Sequence, residues 1–387
     1  MAVKILSVDD ELDLELLLTQ YFRRKIRKGE YEFHFAHNGL EALTLLLKEK
    51  DFDIILSDIN MPEMDGLSLL AKINEMQNPA LKCIMVSAYG DMGNIRQAMN
   101  NGAFDFATKP IDLDDLSQTI EKAVEQINYI KMMQQEHRQL ESIKGDLAVA
   151  REIQHAILPR IFPPFPESAH LVDIAASMNA AKDVGGDFYD FFRIDNHRIG
   201  FVIADVSGKG VPAAIFMAVS RTLIRATGLR AVKPSECITY SNNLLTEEST
   251  NCMFVTAFYG IYDVNTGEVT CTNAGHNPPY VVKADGSIRK LPFSEDFAVG
   301  IVKDYSFKEE SFLLERGDTL LLYTDGVTEA VDTEENEYGE ERLETLLRNT
   351  LHADCQKMID NVKADVKTFV GEAEQSDDIS LLAIKRL

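Results

Sequence analysis

The sequence predicts a doubly wound α/β domain with a parallel sheet over residues 1–120, a helical coiled-coil linker over 113–158, and an α+β layered β-sandwich over 159–387. Three observations carry this reading. Short apolar runs alternate with amphipathic stretches in the first part, strand patterning vanishes in the second, and the third is dense in short alternating runs with two helical stretches among them. A chain of 387 residues can form two domains that each bury a core, and 45% hydrophobic with 26% charged residues suits a folded protein.

In the first part KILSV (4–8), YEFHFA (31–36), DIILS (53–57), KCIMVS (82–87) and FDFAT (104–108) read as five strands. LDLELLLTQYFRRKI (12–26) and GLEALTLLLKE (39–49) read as helices between them. Such spacing favours a parallel sheet, because a parallel crossover needs a dozen or more residues. In that architecture the functional groups gather beyond the carboxyl ends of the strands.

From Leu113 to Leu158 the only helix breaker is Gly145, so the segment is one long helix or two in series. Leu116, Ile120, Ala123, Ile127 and Ile130 alternate spacings of four and three, a seam suited to pairing with a helix of a second copy. Leu140, Ile143, Leu147, Ala150 and Ile157 form a second seam, out of step with the first, the slip falling near Gln134 to His137. A helix packed on its own domains is the alternative.

After IFPPFPES (161–168), DFYDFFRI, IGFVIADV, FVTAFYGIYDV, EVTCTNA, PPYVVK and TLLLYTD read as strands of a mainly antiparallel sheet. Cys83, Cys237, Cys252, Cys271 and Cys355 are scattered, odd in number and without CxxC spacing, so reduced thiols are expected. A net charge of −23 argues against nucleic-acid binding. With no run of roughly 18 apolar residues and no signal-peptide pattern, a cytoplasmic protein with no membrane contact is expected.

The strand ends of the first domain carry Asp9 and Asp10, Asp58, Ser87 and Lys109. Two adjacent acids plus a third form a Mg²⁺ site by type, since this hard ion takes a few carboxylates and keeps its waters. Asp58 could then attack a phosphoryl donor, with Lys109 neutralising charge on the transferred oxygens and Ser87 hydrogen-bonding the new phosphate. VDD, SDINMPEMDG, VSA and TKP, in this order, resemble two-component response-regulator receivers over the first 120 residues. The resemblance implies strand order 2-1-3-4-5, a cis Lys109-Pro110 peptide, a switch aromatic at Phe106 and a sensor histidine kinase as phosphodonor.

The third part holds GGDFYD, ADVSGKG, YTDGVTE and SDDIS, each setting an aspartate at the end or edge of a strand. Asp187, Asp205, Asp325 and Asp377 or Asp378 could meet around two divalent ions, which orient a water and stabilise in-line displacement at phosphorus. In this order the motifs are similar to the SpoIIE-type branch of the type 2C protein phosphatases, together with AREIQ (150–154) and Leu158-Pro159. That resemblance implies that Asp205 bridges two Mn²⁺ or Mg²⁺ ions, helped by the Val206 carbonyl. It also implies that Asp187 holds one ion directly or through water and that Asp325 and Asp377 complete the set. Arg160 and Arg193 are candidates for gripping phosphate, and His276, in NAGHNPPY, reads as a structural histidine in preference to a general acid.

The expected whole is a receiver, phosphorylated on Asp58, that controls a phosphatase acting on phosphoserine or phosphothreonine. By resemblance the substrate is a STAS-type anti-sigma-factor antagonist in a partner-switching pathway, and the chain is a homodimer through its linker. A catalytically silent phosphatase fold that sequesters a partner is the rival, which the intact acids oppose. A transcription factor is the other, opposed by the lack of a helix-turn-helix or basic recognition helix after residue 120.

Overall fold

The computed structural model describes residues 2–49, 51–88, 91–230, 232–248, 252–292, 296–350 and 353–387. The chain divides between Ile143 and Lys144 into two compact units. The first contains β1 (Val3–Val8), α1 (Leu12–Tyr21), α2 (Arg23–Arg27), β2 (Tyr31–Ala36), α3 (Gly39–Lys48), β3 (Ile54–Asp58), α4 (Gly66–Glu75), β4 (Lys82–Ala88), α5 (Met92–Asn100) and β5 (Asp105–Lys109). It also holds the first part of α6 (Leu113–Ile157). The five strands are parallel in the order β2-β1-β3-β4-β5, as expected.

Local chemistry sets the helix starts. Asn38 Oδ1 accepts the Glu41 N–H while Glu41 accepts the His37 N–H, a reciprocal cap on α3. Asp65 caps α4 through the Ser68 N–H. The single helix expected over 12–26 is two, because the backbone leaves helical geometry at Phe22, whose buried ring packs on Tyr31 and Phe33.

The segment from Leu113 is one helix, but its first seam does not await a second copy. Leu116, Ile120, Ala123 and Ile127 are buried in the core of the first unit with Ile5, Leu18, Phe22, Ile54 and Ile84, and Ile130 packs against the same cluster. Spacings of three and four describe a coiled-coil seam and the buried stripe of a helix lying on a sheet equally well. Here the sheet takes the stripe, at roughly 1.5–3 kcal/mol per fully buried Ile or Leu. The α/β fold therefore runs past residue 120, to Ile130. Residues 131–146 of α6 are all exposed, Leu140 and Ile143 of the second seam among them.

The second unit is built from β6 (Val172–Asn179), β7 (Phe188–Arg193), β8 (Arg198–Val206), α7 (Val211–Gly228), α8 (Pro234–Glu248), β9 (Val255–Asp263), β10 (Glu268–Ala274), β11 (Tyr280–Val282), β12 (Ile288–Lys290), β13 (Glu310–Leu313), β14 (Thr319–Tyr323), α9 (Asp325–Thr328), α10 (Glu340–Arg348), α11 (Cys355–Val370) and β15 (Ile379–Arg386). Two antiparallel five-stranded sheets form, in the orders β13-β10-β9-β8-β7 and β12-β11-β14-β15-β6. Side chains of both sheets, among them Phe201, Phe258, Ile174, Leu322 and Leu382, share one core. On the far face of the second sheet, α10 and α11 bury Leu343, Met358, Ile359 and Val362 with Tyr323 and Leu381.

Candidate functional site

In the first unit the strand ends deliver the expected groups to one edge. Carboxylate oxygens of Asp9, Asp10 and Asp58 all lie within 4.8 Å of one another. Lys109, the last residue of β5, sets its Nζ 2.8 Å from Asp58 Oδ2, 2.8 Å from Glu11 Oε1 and 3.0 Å from Asp9 Oδ2. Burial disfavours the lysine charge, yet the pairs with Asp58, Glu11 and Asp9 hold its pKa above the ordinary value. Burial raises the pKa of Asp9, against the Glu11 N–H and Lys109. Glu11 went unnoticed in the sequence, since nothing in VDDEL separates it from a helix-start acid.

One polar atom here, Ser87 Oγ, is buried without a hydrogen-bond partner among the described residues, while Asp9 Oδ2 has only the Lys109 ammonium. Three carboxylates this close, served by a single ammonium, suit a divalent cation, and an orphaned hydroxyl on the strand next to Asp58 suits a phosphoryl oxygen. The Lys109-Pro110 peptide is cis. Phe106 is 36% exposed, too open for a core aromatic.

In the second unit antiparallel pairing does the gathering. Phe188 pairs with Ala204, so Asp187 at the start of β7 adjoins Asp205 at the end of β8. Tyr323 pairs with Leu381, so Asp325 after β14 adjoins Asp377 and Asp378 before β15. The two pairs face each other electrostatically. Asp187 is pushed well above the usual carboxylate range by burial, then by the charges of Asp205 and Asp378. Asp205 is pushed up to about 7 by burial, then by Asp325 and Asp377. Asp325 rises through burial and Asp377, and Glu329, one helical turn on, through burial and Asp325. Carboxylates crowded this way call for cations.

The two acids of SDDIS have different surroundings. Asp378 is buried and spends both oxygens on backbone, accepting Ala181 N–H at 2.8 Å, Gly186 N–H at 2.6 Å and Asp187 N–H at 3.3 Å. It holds the loop that carries Asp187. A Cβ on Gly185 would lie 2.2 Å from its Oδ2, which is why that position is glycine. Asp377 is half-buried and turned to Lys209, whose Nζ lies 2.9 Å away. Thr324 donates to Asp187 Oδ2 at 2.7 Å and fixes that carboxylate. Gln154 of AREIQ donates to the Gly185 carbonyl at 2.6 Å and accepts the Gly185 N–H at 3.1 Å, tying the end of α6 to the same loop.

Lys209 is the cation among these acids, and the pair with Asp377 raises its pKa. Sequence reasoning sought an arginine and passed over it, although it stands inside ADVSGKG. Arg193, at the opposite end of β7 from Asp187, pairs with Glu167 and Ser168, and Arg160 lines the same cleft as Arg193, so neither is among the acids. His276 is buried, its Nδ1 2.9 Å from Thr256 Oγ1, and burial lowers its pKa to about 4, so it is a neutral structural side chain. A cleft of about 540 Å³ adjoins the site, lined by Gly326 and Ser376, neighbours of Asp325 and Asp377, and by Lys363 and Lys367.

Comparisons with known proteins find a match for each unit. Residues 5–121 match the family described as response regulator receiver domain, and residues 195–387 match stage II sporulation protein E. Phosphoserine phosphatase RsbU of Bacillus subtilis is 28% identical over 278 residues, 70% of this chain and 81% of that protein. Phosphoserine phosphatase RsbP of the same species is 30% identical over 188 residues, 48% of this chain and 45% of that protein. The transcriptional regulatory protein ZraR of Escherichia coli K12 is 34% identical over 122 residues, 32% of this chain and 26% of that protein. Among solved structures, the SiaA-PP2C domain of Pseudomonas aeruginosa superposes with a TM-score of 0.57 at 21% identity, covering 64% of this chain and 98% of that one, a likeness of fold.

Proposed function

The chain joins a response regulator receiver domain to a SpoIIE-type protein serine/threonine phosphatase domain, and on that premise we propose that phosphorylation of Asp58 controls hydrolysis at the acid cluster. The observation that carries the reading is the convergence of Asp187, Asp205, Asp325 and Asp377 from both sheets, where burial and neighbouring carboxylates raise the pKa values of Asp187, Asp205 and Asp325.

Asp187, Asp205, Asp325, Asp377 and the Val206 carbonyl would hold two Mn²⁺ or Mg²⁺ ions, which supply Lewis acidity and an acidified water. Asp205 would serve both ions in this reading. Asp378 and Thr324 position Asp187, and Lys209 is freed from Asp377 to meet the phosphoryl oxygens. In the receiver Asp9, Asp10 and Asp58 would hold one Mg²⁺. The Asp58 carboxylate would attack the phosphorus of the donor's phosphohistidine as the P–N bond breaks and the imidazole leaves, while Lys109 steadies the transferred oxygens and Ser87 donates to one of them.

The substrate is a phosphoserine or phosphothreonine protein of the STAS type in a partner-switching pathway, the phosphodonor is a sensor histidine kinase, and the location is cytoplasmic. Among the described residues no helix is long and apolar enough to cross a membrane. In the second seam Leu140 and Ile143 are exposed and Leu147, Ala150 and Ile157 are partly buried, which supports pairing with a second copy through its first half, now without the first seam. The test is manganese-dependent release of phosphate from a phosphoserine STAS protein. Wild type should turn over and Asp205→Asn should not; equal rates would overturn the two-metal reading.

A further inference from the structure

Far from the acid cluster, a cleft of about 400 Å³ at the edge strand β7 is lined by Arg160, Arg193, Arg221 and Arg225, with Phe165 and Phe192. Arg193 is six residues along β7 from Asp187, roughly 20 Å at strand rise. The chain carries −23 overall, so four arginines around one small cleft run against its general charge.

Their arrangement is fixed from below. Asp190 is fully buried and takes Arg225 at 2.8 Å and 3.0 Å through both oxygens, and Arg221 at 2.9 Å. It also accepts the Phe191 N–H at 2.8 Å, so its lone pairs are filled. Arg193 pairs with Glu167, and Arg160 makes no ion pair among the described residues. Four guanidinium groups thus meet two carboxylates, which leaves two positive charges in excess. Each guanidinium has five N–H donors, far more than these carboxylates consume. The Nε atoms of Arg193 and Arg221 are buried and have no partner among the described residues. The neighbourhood is electropositive enough that His155 is held below its ordinary pKa, by burial first and then by Arg160 and Arg151.

We infer that this cleft is a binding site for a phosphate dianion, free or as the monoester of a small metabolite, separate from the metal centre. Two excess charges match a dianion, and guanidinium forks match its oxygens better than an ammonium would. Arg160 lies just beyond α6 while the other three belong to β7 and α7, so a bound dianion would clamp the chain after α6 onto the strand that begins beside Asp187. Tyr189 already donates to the Pro159 carbonyl at 2.9 Å along the same seam.

The experiment is calorimetric titration of the full chain, freed of metal by dialysis, with inorganic phosphate and separately with glycerol 3-phosphate at constant ionic strength. One saturable site per chain is expected, retained in Asp205→Asn and in Asp58→Ala. Arg160→Gln with Arg193→Gln should weaken it at least tenfold, and both leave Asp190 its two partners. Arg160→Gln alone, at an exposed residue without an ion pair, should weaken it severalfold and serves if the double variant misfolds. The tighter of the two ligands identifies the source. No saturable binding of either, binding that survives loss of these arginines, or binding lost in Asp205→Asn would overturn the assignment.

Discussion

Replacing Asp205 with asparagine should abolish turnover yet make the metal-free phosphatase domain more stable. Unfolded, an aspartate loses its proton near 3.8; folded, Asp205 keeps it until about 7, because burial and the charges of Asp325 and Asp377 oppose ionisation. Between those values the folded state holds the extra proton, so the contribution of Asp205 to stability falls as pH rises through that window and stays low above it. At roughly 1.4 kcal/mol per pH unit the raised folded pKa costs the metal-free fold about 4 kcal/mol at pH 8 and about 1.6 kcal/mol at pH 5, relative to an aspartate that ionises alike in both states. Asparagine carries no charge and escapes this cost. The gain of Asp205→Asn over wild type should therefore grow by about 2–3 kcal/mol from pH 5 to pH 8, a further rise of roughly 5–10 °C in the melting temperature of a domain this size. Scanning calorimetry of both proteins, metal-free, measures it. A variant no more stable than wild type at pH 8, or a gain equal at both pH values, would refute the repulsive cluster. Hydrolysis should fall by about 10²-fold or more for want of a main electrostatic contributor.

Asp58→Ala should lose the base-labile adduct formed with acetyl phosphate and Mg²⁺, read by phosphate-affinity electrophoresis, whereas an unchanged adduct would place phosphorylation elsewhere. Lys209→Gln should raise KM for the phosphoprotein about tenfold, the value of one charge-assisted hydrogen bond, and move kcat less; an unchanged KM would free Lys209 of any part in substrate binding. Ile120→Asp puts a charge into the receiver core at a cost of about 4 kcal/mol or more, so calorimetry should show the receiver transition lost and the phosphatase transition kept. A receiver that still takes phosphate normally would contradict the burial of α6 on its sheet.

The receiver was legible because its chemistry lies at strand ends and its strands are apolar runs separated by helices, so β1 to β5 all fall where the pattern puts them. The phosphatase acids were legible through their glycines and strand edges. The different surroundings of Asp377 and Asp378 were not, since adjacent aspartates look alike until the loop from Ala181 to Asp187 is seen donating three N–H groups to the second of them. Strand β6 escaped notice and β15 was marked only at its edge in SDDIS, although they pair along eight residues, because VDIAASMN mixes small and polar residues and ISLLAIKR lacks clean alternation. Their burial is decided by α11 and by the facing sheet, which no local pattern records.

The linker shows where periodicity stops being informative. Both seams of α6 have the same spacing, yet Ile120 is fully buried and Leu140 is 57% exposed. What separates them is whether the sheet of the first unit offers a complementary apolar face within reach, and the packing of α6 on that apolar cluster ends at Ile130. The step in phase near Gln134 to His137 marks this change of surroundings: before it the stripe serves the receiver core, after it Leu140 and Ile143 are exposed. An influence of Asp58 that travels along α6 would enter through its receiver-bound turns and leave through the turns that follow Ile143. Those later turns end in Gln154, which grips the Gly185 loop, so a small displacement of the helix end bears directly on Asp187.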